Sequence, residues 1–457
     1  MGRVTVGPHE PDSSRVDMPR RRLFAICGLL LLASAINYMD RQTLANVSTR
    51  VTREFSLTEQ QYGALETSFG LSFAAGSLVL GMLADRVSIR FVYPLVLLLW
   101  SSVGFLTGWT QSYGQLLVCR GLLGFFEAGH WPCGLKAIQL LLVPDRRAMG
   151  NSVLQSGTSI GAIVTPLIML ATLTPEVSSW RMGFQWVGAI GFVWIGLWFL
   201  FVHRSDFSGA PARQPHSTAS DQPWWRDFLT RRMLVVVLIV CIINVTWQTL
   251  RAWLPKIMLQ EYLYDEKATA QFTSAWYIAT DVGCLASGAL AMALASRGWG
   301  IKSSRVAAFG LCAALCSSLM LMPLLSRGPL LLAVLLISGA GALGMFPIYY
   351  SFTQDISRNH QGKVAGFTGV LAWSISSPMA MLFGWLADET NSFNTGIAIA
   401  GALPLLAWLT IVFLWPRDNP PETSLSSNPP PSRSGSPHHP HILRSDTLMT
   451  LNRHPTF

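Results

Sequence analysis

Long apolar runs recur along the chain, separated by short polar turns. A membrane-spanning helix needs ~20 mostly apolar residues. On that measure the pattern predicts twelve helices, at 22–47, 59–83, 91–110, 113–142, 147–174, 181–203, 231–260, 267–297, 303–326, 328–355, 361–388 and 391–416. A polar, Pro- and Ser-bearing stretch at 204–230 divides them six and six, and the outer loops are too short to form a separate ligand-capturing domain. The expected organisation is a tail at 1–21, a six-helix half at 22–203, the linker at 204–230, a second six-helix half at 231–416 and a Pro/Ser-rich tail at 417–457. That last tail carries too little apolar surface to fold alone and reads as disordered.

Composition supports an all-α membrane protein. The chain is 51% hydrophobic and 12% charged, against roughly 25% charged in soluble domains. Its net charge of +9 does not indicate nucleic-acid binding, because the basic residues are distributed asymmetrically. With an even number of spans, 23 Lys/Arg fall on the side of the two termini. Five lie on the other side (Arg50, Arg53, Arg181, Lys267, Arg327) and five lie inside helices (Arg41, Arg120, Lys136, Arg251, Lys256). This positive-inside bias puts both termini in the cytoplasm. The first segment, with Arg20-Arg21-Arg22 before an apolar run and Ala33-Ser34-Ala35, also has the look of a secretory signal. A retained first helix is simpler, since cleavage would leave an odd number of spans.

Five ionisable residues interrupt the first and fourth runs: Asp40, Arg41, Arg120, Glu127 and Lys136. A charge at the centre of a membrane helix costs at least ~2.5–3.5 kcal/mol, which makes each a candidate functional residue. Arg120 and Glu127, seven apart, share one helix face. Arginine suits carboxylate recognition because its planar fork donates two parallel hydrogen bonds. Glu66 in the second run and Arg251 before Pro255 add an acid and a cation. The alternatives for these two are a wetted membrane edge and a side chain snorkelling to an interface. Lys136 and Lys256 also have the length to snorkel, to opposite interfaces. Asp281 reads as structuring the eighth helix, and Tyr38, Trp247, Trp276, Tyr349, Tyr350 and Trp373 supply flat faces for a substrate.

The seven cysteines all fall within predicted helices and imply no disulfide framework. His438, His439 and His441 in the tail lack a scaffold, so no metal is expected, and no cofactor either. The expected absence of an HExxH, P-loop, CxxC or nucleophile-elbow motif argues against an enzyme or an ATP-driven pump.

Gly81-Met-Leu-Ala-Asp85-Arg86-Val-Ser88-Ile-Arg90 resembles the loop motif of the major facilitator superfamily, with Ser88 where that motif usually has glycine. Asp85, Arg86 and Arg90 are its candidate gating residues. Further segments resemble the anion:cation symporters of that superfamily, especially bacterial hexuronate and galactonate transporters. These are Asn37-Tyr38-Met39-Asp40-Arg41, the stretch from Arg120 to Lys136, Gly157-Thr158-Ser159-Ile160-Gly161, Ser179-Trp180-Arg181, Trp247 to Pro255, and Asp281-Val-Gly-Cys284. The resemblance covers roughly 22–416 and implies a monomeric inner-membrane symporter of protons and a small organic anion such as a hexuronate or aldonate. It implies proton-coupling roles for Asp40 and Glu127, and substrate contacts for Tyr38, Arg41, Arg120, Thr158, Trp373 and Lys136. Arg251 and Glu66 depart from the hexuronate pattern. Glu66 stands where vesicular anion transporters carry a cavity histidine, and it is a candidate third proton site. Arg251 is a candidate second cation for the substrate. A facilitator or exchanger of another carboxylate, and a transport-like sensor, are the alternative functions.

Overall fold

The computed structural model describes residues 19–142, 144–207, 230–354 and 361–416. The tails at 1–18 and 417–457, with His438, His439 and His441, lie outside these residues, as does most of the linker (208–229). Fourteen α-helices are described: α1 Arg20–Asn46, α2 Ser48–Phe55, α3 Glu59–Arg86, α4 Ile89–Thr107, α5 Tyr113–Glu127, α6 His130–Leu141, α7 Pro144–Thr172, α8 Trp180–Phe201, α9 Arg231–Gln260, α10 Glu266–Ser296, α11 Ile301–Ser317, α12 Pro329–Gln354, α13 Gln361–Thr390 and α14 Asn394–Leu414. Among the described residues, eleven helices are long and apolar enough to cross a membrane.

The difference from twelve lies in the fourth run. In place of one helix over 113–142, the chain turns at Ala128-Gly129 and continues as α6. Neither α5, at 15 residues, nor α6, at 12, reaches spanning length alone. Pro132 accounts for the break: it has no N–H for the carbonyl of Ala128 four residues back, and its ring clashes there. Hydropathy is continuous through the turn and gives no sign of it. The second departure is α2, eight residues where the pattern suggests a loop, closed by Ser56 in the left-handed region (φ 49°).

Helix starts follow the local signals. Thr58 and Gln61 form a reciprocal capping box at α3, which satisfies two otherwise orphaned N–H groups. Asp265 accepts from Ala268 N at 2.7 Å to cap α10. Pro255 lies inside α9 without ending it. The carbonyl it frees belongs to Arg251, and packing against neighbouring helices makes such a proline tolerable in a membrane.

Helix ends alternate between two faces of the bundle. Arg22 at the start of α1 pairs with Asp206 beyond α8 at 2.7 Å, and Lys302 in α11 donates to the carbonyl of Pro416 beyond α14. This is the terminal face. The far face carries α2 and the starts of α3 and α10. Apolar packing is continuous across the far face, where Leu44, Val47, Val51, Tyr62 and Leu65 share one cluster with Trp253, Leu254 and Phe383. A separate cluster, built from Trp100, Trp194, Trp198 and Tyr93, holds α1, α4 and α8 together towards the terminal face.

Candidate functional site

Helices α1, α3, α4 and α5, with α9 and α13 from beyond the linker, bring the charged residues together at mid-bundle. α1 presents Asn37 and Arg41 on one face, four residues apart. α5 contributes Arg120 and Glu127, α3 contributes Glu66, Phe69 and Phe73, and α4 contributes Trp100 and Gly104.

Arg41 grips Glu127. Its Nη2 lies 3.0 Å and its Nε 3.4 Å from the same oxygen, Oε2. Asn37 steadies the pair, accepting from Arg41 Nη2 at 3.5 Å and donating to the Glu127 carbonyl at 3.3 Å. The guanidinium sits among four aromatic rings, Tyr38, Phe69, Phe73 and Trp373, at 4.9–5.6 Å from their centroids. Rings at this distance attract the cation and exclude water.

Glu66 forms the second node. Its Oε1 accepts from Arg120 Nη2 at 3.2 Å, and its Oε2 from Arg251 Nη2 at 2.5 Å. Gln248 Oε1 orients Arg251 from its own helix at 2.6 Å, and Arg251 Nη1 reaches the Arg41 carbonyl at 3.5 Å. Arg251 therefore does not snorkel, and Glu66 is not a wetted edge residue; both are buried. Removing one partner of a buried ion pair typically costs about 3–5 kcal/mol, because the other charge is left uncompensated.

Several polar atoms in this cluster have no hydrogen-bond partner: both carboxyl oxygens of Asp40, Oε1 of Glu127, and Nε and Nη1 of Arg120. Asp40 is fully buried. It lies within electrostatic reach of Glu127 and Arg120 and beside the indole of Trp100, whose N–H is also unpartnered. Gly104 makes room for it: a Cβ there would stand 2.8 Å from Asp40 Oδ1. Orphaned buried polar groups are rare and costly, and they concentrate where chemistry or switching needs them.

The other sequence candidates are placed as follows. Tyr38 and Trp373 join the aromatic box around Arg41. Thr158 on α7 bonds within its own helix, to the Gln155 carbonyl at 2.7 Å. Its neighbour Ser159 donates across to Asp281 of α10 at 2.9 Å, so Asp281 joins two helices rather than structuring its own alone. Lys136 is outside the ion network, donating to the carbonyl of Ala84 near the end of α3. Arg86 is exposed in the last turn of α3, and the Arg90 carbonyl accepts from Trp198 Nε1 at 3.0 Å. The side chain of Asp85 lies outside the described residues. Contrary to the expectation that no nucleophile-elbow pattern is present, Gly157-Thr158-Ser159-Ile160-Gly161 has the GxSxG spacing, but it runs inside α7 with no strand-to-helix turn to expose the serine.

Residues 30–381 match the sequence profile of the Major Facilitator Superfamily. The chain belongs to that superfamily. It is a multi-pass membrane transporter and not an enzyme. It is 26% identical over 399 residues to the hexuronate transporter of Escherichia coli K12, covering 84% of this chain and 91% of that one. It is equally identical, over 418 residues, to a probable sulfoacetate transporter of Cupriavidus necator, covering 86% and 93%. A probable galactarate/D-glucarate transporter of Escherichia coli K12 is 24% identical over 86% of this chain and 94% of its own length. Among solved structures, the fold is shared with an inward-facing bacterial homologue of the human lysosomal transporter Spinster, at TM-score 0.71 and 16% identity over 87% and 95% of the chains. It is also shared with a D-xylose-proton symporter, at TM-score 0.70 and 15% identity over 86% and 97%.

In this transporter the described polar links between α1–α8 and α9–α14 lie at the site or on its far side, and sequence reasoning missed most of them. Arg50 of α2 forks onto Glu266 of α10 at 2.5 and 2.6 Å, and also donates to the carbonyls of Thr174 and Glu176 at 2.7 Å. Lys256 pairs with Glu59 and donates to Thr52 at 2.8 Å, so it is buried rather than snorkelling. Asp388 of α13 accepts from the N–H groups of Glu59 and Gln60 at 2.8 Å each, an anion seated on the positive end of α3. Tyr62 donates to the Ala252 carbonyl at 2.9 Å, and Thr67 to the Ser377 carbonyl at 2.7 Å. The capping box at Thr58 was a readable signal for where α3 starts, but nothing in the sequence pairs these residues across two hundred positions.

The α3–α13 seam depends on backbone contact. A Cβ on Gly384 would overlap the Glu59 carbonyl, and one on Gly63 the Ala380 carbonyl. Gly384→Val is therefore expected to hold the far face apart. Thiol labels at cysteines introduced at Thr67 and Ser377 should react several-fold faster in that background. Equal labelling with and without the valine would show that the seam tolerates it.

Proposed function

We propose that this protein is a proton-coupled symporter of an organic acid of the sugar-acid class, working by alternating access. The observation that carries the reading is the Arg41–Glu127 pair with the unpartnered Asp40 beside it. A substrate carboxylate and Glu127 compete for one guanidinium. When Glu127 takes a proton it stops competing as an anion, and the fork of Arg41 becomes available to the substrate. Proton uptake and anion uptake are then linked at one residue, with each charge-assisted hydrogen bond worth about 1.5–3 kcal/mol. Asp40 is the relay beside Glu127: in this conformation neither of its carboxyl oxygens has a hydrogen-bonded partner, Arg120 being the cation within electrostatic reach, and a buried charge without a bonded partner is expensive. The named substrates of the relatives are uronate, aldarate and sulfo-acid anions, which supports this class over others.

In this reading α5 and α6 together make one broken crossing, giving twelve spans in two halves, 22–203 and 231–416, joined by the linker at 204–230. Both termini are cytoplasmic. The far face, closed by Arg50–Glu266, Lys256–Glu59 and Asp388, is the outer gate, and the conformation is open inwards. Asp85, Arg86 and Arg90 form the inner gate of the same cycle. Tyr38 and Trp373 pack against the substrate, Arg120 and Arg251 hold its charge, and Thr158 lies along its path on α7. Lys136 is assigned to the inner face.

The test is uptake by proteoliposomes with an imposed pH gradient, inside alkaline. A sugar acid should accumulate above its external concentration, with the lumen acidifying as it enters. Equilibration without accumulation, and without proton movement, would identify a facilitator or exchanger.

A further inference from the structure

Glu66 is buried at the point where two guanidiniums converge from different halves of the sequence, α5 and α9. One carboxylate there serves two arginines, and Arg120 still keeps Nε and Nη1 buried and unpartnered. A guanidinium carries five donors in a fixed fork, so this pair has more donor capacity than Glu66 uses. Arg251 also lies within electrostatic reach of Tyr38, the residue that caps Arg41. The Arg120–Arg251 node thus adjoins the Arg41 node, and the two form adjacent anion sites, each occupied by a protein carboxylate.

Building on the organic-acid reading, we propose that Glu66 is a built-in stand-in for a second acid group, and that this transporter takes dianions. One acid group replaces Glu127 on Arg41, and the other replaces Glu66 between Arg120 and Arg251. The chemical class is a sugar diacid or a sulfo-carboxylic acid. Charge balance follows directly. Each substrate acid group that displaces a protein carboxylate brings one negative charge, and the displaced carboxylate takes one proton from the outer solution and returns it inside. The charge of the cluster is the same before and after binding. A diacid is therefore carried with one proton more than a monoacid. Since Glu66 bridges α3 to α9, its displacement also removes a link between the two halves.

The experiment compares matched probes on the purified full-length protein at several pH values: galactarate against galacturonate, and sulfoacetate against glycolate. The diacid of at least one pair should bind about tenfold or more tightly than its monoacid, with one further proton taken up per molecule bound. Glu66→Gln, a permanent mimic of the protonated acid, should lower the pH slope of diacid affinity by one proton. Arg251→Gln should cut the diacid-to-monoacid affinity ratio about tenfold. The double variant Glu66→Gln/Arg251→Gln removes one charge of each sign, so the node keeps its net charge on Arg120, and it tests the same ratio should either single variant fail to fold. Monoacids binding as tightly as diacids, or a Glu66→Gln pH slope equal to the native one, would overturn the assignment while leaving an organic-acid symporter. Failure of the folded protein to bind any of the four probes would overturn both.

Discussion

Glu127→Gln is expected to abolish uphill uptake and to preserve exchange. The amide keeps the shape of the side chain and can still accept from Arg41, but it cannot take or lose a proton. Substrate should still enter, bind Arg41 and leave, because Arg41 no longer has a competing anion beside it. Counterflow of labelled substrate across loaded proteoliposomes should therefore persist, while accumulation of a monoacid driven by a pH gradient falls to background. Affinity should also lose the one-proton share of its pH dependence that Glu127 supplies, which is all of it for a monoacid. In the native protein, binding should weaken as pH rises, because a deprotonated Glu127 reclaims the guanidinium; in the variant that competitor is absent at every pH. The local geometry supports this separation of effects. Glu127 touches Arg41 through one oxygen and leaves the other unpartnered, so replacing it disturbs little packing. Accumulation that survives in Glu127→Gln would transfer the coupling role to Asp40 or Glu66.

The parts of the site within single helices were readable from the sequence. Arg120 and Glu127 fall on one face of α5, and Asp40 and Arg41 sit deep in α1, because helical spacing alone dictates both. The pairings were not readable. Arg41 meets Glu127 from 86 positions away and Arg251 meets Glu66 from 185, and periodicity carries no information about which helices become neighbours. This is why Arg251 and Lys256 were open to a snorkelling reading. Each has an acid waiting on another helix, the buried Glu66 and the half-buried Glu59. The count of spans was blurred at one place for a similar reason. Hydropathy integrates over the whole fourth run, whereas the break at Ala128-Gly129 is set by the single missing N–H of Pro132. The far-face links were hidden differently. Arg50 and Lys267 count towards topology as outer basic residues, and that use of charge says nothing about whether a given residue is solvated or, like Arg50, tied to Glu266.

Arg41→Lys is expected to weaken substrate binding by roughly 10- to 150-fold. The charge survives the substitution, so a purely electrostatic role would tolerate it. The fork does not survive: lysine offers a compact ammonium in place of a planar pair of donors. The loss of one charge-assisted hydrogen bond, about 1.5–3 kcal/mol, sets the range. The surroundings sharpen the effect. Tyr38, Phe69, Phe73 and Trp373 enclose the guanidinium at centroid distances up to 5.6 Å, a box shaped for a flat cation. An ammonium there would leave space on the ring faces and stand short of Glu127. The box also separates binding from folding, since its rings pack on one another independently of Arg41, Phe73 on Trp373 at 4.7 Å and Phe69 on Phe73 at 5.9 Å. The variant should therefore remain folded and membrane-inserted, with a thermal unfolding profile close to native, while equilibrium binding measured by calorimetry drops. A near-native affinity in Arg41→Lys would mean that Arg41 serves only to hold Glu127, and the substrate carboxylate would then have to be held by Arg120 or Arg251 instead.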